Sequence, residues 1–167
     1  GGGATFISPL TVNGGFQVTA PGGVTFDQSV GGGGTLTVNT SGVTRFGGPI
    51  NGLSSLITNA GGTTVIAGGI LNANSFLFGD AVVLESNLVV TAGTGRFNLS
   101  LLGGNDGGQS LTLNVTGDTV FVGAVGAAGQ RLASISTGAG GRTLFYGGSV
   151  LTTGAQVRSV RSFDQQS

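Results

Sequence analysis

Apolar and polar residues alternate along this chain in short runs broken by glycine. Val24 and Phe26, Leu36 and Val38, and Leu111, Leu113 and Val115 are each separated by a single polar or small residue. A period of two places such residues on one face of a strand, so they are expected to point inward. No window sustains a helical period, and each glycine inside a helix would cost about 1 kcal/mol relative to alanine. The pattern predicts an all-β chain with next to no helix, its glycines at turns between short Val-, Thr- and Phe-rich strands.

The runs also repeat. A threonine, a large apolar residue, a glycine-rich corner and an alternating segment return at Thr5, Thr25, Thr44 and Thr64, with spacings of 20, 19 and 20, and again at Thr119 and Thr143, 24 apart. A longer repeat overlies this one. TLTVNTSGVTRFGG at 35–48 matches SLTLNVTGDTVFVG at 110–123 with an offset of 75, and GGTTVIAGG at 61–69 matches GGRTLFYGG at 140–148 with an offset of 79. The difference of four residues is expected to be an insertion at a corner. Residues 1–167 are accordingly one domain, divided into diverged tandem halves at about 24–95 and 96–167.

An antiparallel sandwich also uses many short strands, but its strands differ in length and surroundings. A unit of constant length instead stacks like onto like. The expected fold is a right-handed parallel β-helix, a β-solenoid, of about eight coils of roughly twenty residues; at roughly 4.8 Å per coil the rod is roughly 38 Å long. Its core is expected to hold one file of Phe6, Phe26, Phe46, Ile66, Phe121 and Phe145 beside a file of threonines. Asn13, Asn39, Asn59 and Asn114 end strands and are expected in left-handed or side-chain-bonded turns, where stacked amides can bond to one another.

The phrases LTVNTSGVTRFGGPINGLSSLITNAGGTTVIAGG and GGSVLTTGAQ resemble the strand repeats of filamentous-haemagglutinin-like adhesins and related autotransported surface proteins. The likeness covers about 24–156 and lies in the grammar of the repeat. It implies a right-handed parallel β-helix, secretion across an outer membrane, and service as a stalk or adhesive fibre at the cell surface, with no catalytic residues to transfer.

Composition fits this reading. The chain has 36 glycines, only 7% charged residues, and no Cys, Met, Trp or His, yet ten Phe set it apart from disordered glycine-rich chains. Absence of cysteine agrees with an extracellular setting. Six arginines balance six acids, so no net field draws in nucleic acid. The most apolar stretch, 76–90, is interrupted by Asp80, Glu85, Ser86 and Asn87, which argues against membrane insertion. The chain starts at GGGATF without an initiating Met or a signal peptide, as expected of a processed product or an excised fragment.

Little reactive chemistry is available. Without His, Cys or Lys there is no Ser/His, Cys/His or Ser/Lys nucleophile, no zinc motif and no P-loop. Asp27, Asp80, Glu85, Asp106, Asp118 and Asp164 are scattered, as solubilising surface acids are, leaving a polysaccharide-active enzyme as the weakest alternative. Gly103-Gly104-Asn105-Asp106-Gly107-Gly108 fits the calcium-binding nonapeptide poorly, because Asp106 stands where glycine is wanted and Gly108 where aspartate is wanted. Sequons at Asn39, Asn98 and Asn114 carry no weight in a chain so rich in Asn, Ser and Thr. Thr35-Leu36-Thr37 is the one Thr-x-Thr pair of the kind ice-binding solenoids display.

No catalytic, cofactor or metal residue is therefore expected. The expected role is a structural module of a secreted surface adhesin or extracellular filament, with a carbohydrate- or ice-binding rod as the alternative, read by exposed Thr, Asn, Tyr146 and Arg. The tail VRSVRSFDQQS is the one charged candidate for an end cap. It carries Arg158, Arg161 and Asp164, with Val157, Val160 and Phe163 spaced for a short amphipathic turn. The bare GGGATF end points to head-to-tail stacking with another copy, or to adjacent coils of a longer chain.

Overall fold

Short strands separated by glycine corners cannot bury their apolar faces alone, so they must stack. The computed structural model of the chain describes residues 1–138, 140–154, 156–158 and 163–165. It is an all-β parallel solenoid, without helix among the described residues. Each turn lays down strand segments on three sides, A, B and C, before rising to the next level.

Side A stacks Ala4–Phe6, Val24–Phe26, Val43–Phe46, Thr63–Ile66, Ala81–Leu84 and Leu101–Gly103, all parallel. One file on this side runs Ala4, Val24, Thr44, Thr64, Val82 and Leu101, then continues through isolated bridges to Val125 and Val150. Eight levels are thus separated by seven turns, roughly 34 Å at the usual strand spacing. Sides B and C begin as separate short strands. At the middle levels they fuse into Ile50–Thr58, Ile70–Phe78 and Leu88–Phe97, then separate again.

The alternating residues do point inward: Val24, Phe26, Leu36, Val38, Leu111, Leu113 and Val115 are all buried. Phenylalanine rings stack face to face up the axis. On side A, Phe6 lies 4.9 Å from Phe26 and Phe26 lies 5.0 Å from Phe46, with the rings within 10° of parallel. Beyond Phe46 the same file continues as Ile66, Leu84 and Gly103. A second stack then begins on side C: Phe78, Phe97, Phe121 and Phe145, with the last three at 4.6 and 4.9 Å. Below Phe78 that side-C file holds Val18, Val38 and Thr58. Where one side carries the ring the other carries a smaller residue, as a close-packed interior of constant cross-section requires.

The expected single phenylalanine file is therefore two files. Phe6, Phe26, Phe46 and Ile66 share one; Phe121 and Phe145 belong to the other, a side away. The threonine file divides likewise. Thr25 pairs with Arg45 and not with Thr44, because a spacing of 19 in place of 20 slips the register by one residue and reverses the side chain. Thr5 is exposed and Thr25 half-buried, facing outward, whereas Thr44 and Thr64 are wholly buried on side A, and Thr119 and Thr143 on side C. The two stretches matched at long range also run through different sides: 35–48 covers C then A, and 110–123 covers B then C.

Positive φ is confined to glycines among the described residues, so none of Asn13, Asn39, Asn59 and Asn114 adopts the left-handed conformation. Asparagine instead works through its side chain, the Asn59 Oδ1 accepting the Thr40 amide at 3.0 Å. Gly62 shows why glycine takes the corners: its φ is 98°, and a β-carbon there would run into the carbonyl of Gly42 one level below. At the other end, Val157 and Phe163 lie in strands Gln156–Arg158 and Phe163–Gln165, which extend sides B and C. The amphipathic turn expected there is replaced by further ladder at these two positions, while Val160 and Arg161 lie outside the described residues.

Phe121, between Phe97 and Phe145, is wholly buried. Phe121→Ala should lower the unfolding free energy by about 3–5 kcal/mol, read from urea denaturation. Gly95→Ala should also destabilise, because its new methyl would enter the ring of Phe76. Wild-type stability in both variants would contradict the stacked core.

Candidate functional site

The outward residues of a solenoid form files just as the inward ones do. On side B one such file is Thr11, Gly31, Asn51, Asn72, Thr91 and Asn114, exposed apart from Gly31. Beside it the fused strands bend toward side C, with a register irregularity between Asn72 and Ala73. The bend opens a shallow trough of about 420 Å³ with Asn72, Asn74, Thr91 and Thr116 on its walls and Ala73 and Ala92 beneath. At the trough's edge Gly93 passes close to the level below, where a β-carbon would lie 2.7 Å from the carbonyl oxygen of Asn74. Every side chain lining it is neutral.

Three of the six acids are drawn into pairs with arginine. Arg45 Nη1 reaches Glu85 Oε2 at 2.6 Å, over the intervening Val65 level of side A. Arg142 holds Asp118 through two hydrogen bonds, of 3.0 and 2.6 Å, and its guanidinium keeps that carboxyl below the ordinary range. Asp27 is exposed at a corner. Asp164 lies in the last side-C strand. No group of three His, Cys, Asp or Glu converges among the described residues.

Asp106 belongs to the glycine-rich loop 103–108. Its carboxylate accepts Arg131 Nε at 2.9 Å, Nη2 at 2.6 Å and the Arg131 backbone amide at 2.9 Å. These hydrogen bonds hold its pKa at about 2. The group that engages the carboxylate is a guanidinium from the next coil, so the loop acts as a lateral staple. Gly103 and Gly107 amides donate to the carbonyls of Gln130 and Arg131 in the same join.

Asp80 departs from the expectation of a surface acid. It is wholly buried, in the corner between sides C and A. Thr58 Oγ1 donates to its Oδ1 at 2.9 Å, and Thr64 Oγ1 lies 2.8 Å from Oδ1 and 3.0 Å from Oδ2. Burial pushes its carboxyl up, against the lowering pull of Thr64, Thr58 and its own backbone amide. One level below Thr64, the Thr44 hydroxyl is buried with no hydrogen-bond partner. The signal in the sequence was an acid with apolar residues on both sides, Phe76 to Phe78 before it and Ala81 to Leu84 after it, within the most apolar stretch, 76–90.

The glycan candidates are dispersed. Tyr146 is exposed on side C, away from the side-B trough. Thr35 is flanked in its file by Gly15 and Ser55, and Thr37 by Gln17 and Ile57, so the Thr-x-Thr pair is not continued into an array. Of the sequon asparagines, Asn114 is exposed, while Asn39 and Asn98 are half-buried.

The fold defines a repeat protein of the parallel β-solenoid class, with interlocked coils. Among known proteins, no family model, no curated protein and no solved structure matches the chain.

If the 103–108 loop is a staple, Asp106→Ala should raise amide hydrogen exchange at Gly103, Gly107 and Arg131 while the melting temperature stays near that of the wild type, because the pair is solvent-exposed. The pair should persist on acidification until pH falls through about 2, where the carboxyl takes its proton and the staple's contribution is lost.

Proposed function

We propose that the chain is a structural segment of a secreted surface adhesin or extracellular filament, extended coil upon coil through its sheet edges. The observation that carries this reading is the ladder itself. Eight levels run in register with the side-chain stacks directed along the axis, and the first-level strands Ala4–Phe6, Leu10–Thr11 and Gly15–Thr19 are paired on one edge only. An open parallel edge of this kind can accept another coil, of a second copy or of the same polypeptide. The resemblance of its repeat phrases to those of filamentous-haemagglutinin-like adhesins supports an extracellular location. The engagement of Glu85, Asp106 and Asp118 by arginines, away from one another, favours a structural over a polysaccharide-cleaving role.

A second reading rests on the side-B trough. Its amide and hydroxyl walls, free of charge, suit a neutral glycan lying along the rod, with Asn72, Asn74 and Thr91 supplying donors and acceptors.

Light scattering over a concentration series, with electron microscopy of the same samples, tests the first reading. Mass that grows with concentration into unbranched fibres supports self-stacking; a strictly monomeric particle at all concentrations eliminates it and leaves continuation within one polypeptide. Binding on a glycan array that is lost in Asn72→Ala and Asn74→Ala would favour the second reading, and an empty array would remove it.

A further inference from the structure

A buried carboxyl group with no cation is an unusual component of a hydrocarbon core, and its position here is structural. Thr58 ends side C at one level, Thr64 begins side A after the corner, and Asp80 arrives one turn later to bond to both. The Thr58 hydroxyl also accepts the Gly79 amide at 3.2 Å. One carboxyl group thereby ties together two consecutive coils and the two sides that meet at their corner.

We propose that Asp80 is a proton-operated lock on this corner, taking up a proton as the medium becomes acidic and making the central coils harder to unfold.

The surroundings support this. The side chains bonded to Asp80 are Thr58 from side C and Thr64 from side A, and no arginine or second acid among the described residues is bonded to it. The ion pair of side A, Arg45 with Glu85, has both side chains partly open to solvent. The charged form therefore has only hydroxyls and its own amide to replace lost water, whereas the protonated form remains hydrogen-bonded without a buried charge.

The direction of the effect follows. Burial raises the folded-state pKa above that of the unfolded chain, so in the interval between them the folded protein holds a proton that the unfolded protein has released. This contribution to stability is complete below the unfolded value and is lost as pH rises through the folded one. Each unit of separation changes the unfolding constant tenfold. Asp106 and Asp118 act in the opposite sense through their arginines, but their folded pKa values are lowered, so they lose their contributions only below the ordinary carboxylate range. Above it, Asp80 is the described acid that burial pushes upward, and acidification toward that range should stabilise the fold.

Urea unfolding of the whole chain between about pH 4.5 and pH 8 reads this directly. In the wild type the midpoint should rise toward the acid end. Asp80→Asn, whose amide oxygen can still accept from both threonines, should lose that dependence and match or exceed the wild type at the alkaline end; Asp27→Asn, at an exposed acid, should retain it. A wild-type midpoint that is flat or falls on acidification would overturn the proposal, as would an Asp80→Asn profile that still follows the wild type. Should that variant fail to fold, the carboxyl carbon of Asp80 in the wild-type protein can be titrated by NMR. A transition above the ordinary aspartate range supports the lock, and one within or below that range overturns it.

Discussion

The hydrogen-bonded spacing between one coil and the next governs nearly everything else in this molecule. Parallel strands stand about 4.8 Å apart, and aromatic rings pack well at centroid separations from about 4.5 Å. The phenylalanine stacks here have separations of 4.6–5.0 Å within their parallel runs, so a single pitch satisfies both the backbone and the rings. The glycine corners obey the same pitch. At Gly62 the carbonyl of the corner below occupies the room a side chain would need, and no rotamer can relieve it because the obstacle is backbone.

Within that pitch the interior is free to exchange positions so long as each level is filled. The ring passes from side A to side C between Phe46 and Phe78, and the files it leaves or enters hold Ile66, Leu84, Thr58 or Val38 in compensation. Asp80 enters at the same transition, next to Thr58 and Thr64. The core is polar where the two aromatic stacks change over, and the phenylalanine-rich levels lie on either side of it.

How much of this could be read from the amino-acid sequence follows from the same geometry. Alternation identified the inward residues of the strands, and the spacing of about twenty identified a parallel stack, because both are local properties of any coil. The side on which a strand lies is not local. Sides A, B and C all use short runs in which apolar residues alternate with small or polar ones, so Phe46 and Phe121 looked alike although they stand in different files. A one-residue difference between Thr25 and Thr44 was enough to exchange inside for outside. The burial of Asp80 was hidden for a similar reason: an aspartate after glycine at a strand end is usually a surface turn, and only its position above Thr58 and Thr64 makes it internal. The trough of side B arises from a bend in strands that alternate normally, and it depends on neighbours about twenty residues away.

Two corners are larger than the rest. From Val82 to Leu88, between sides A and B, the chain takes six residues, but from Leu101 to Leu111 and from Val125 to Ile135 it takes ten. Asp106 and Arg131 join these two excursions outside the stack, and the strands above and below stay in register. Girth and pitch are thus independent variables in this architecture. A lineage carrying such a rod can lengthen, decorate or exchange its flank at that corner, and a protein engineer can graft a foreign epitope there, while the axial repeat continues undisturbed.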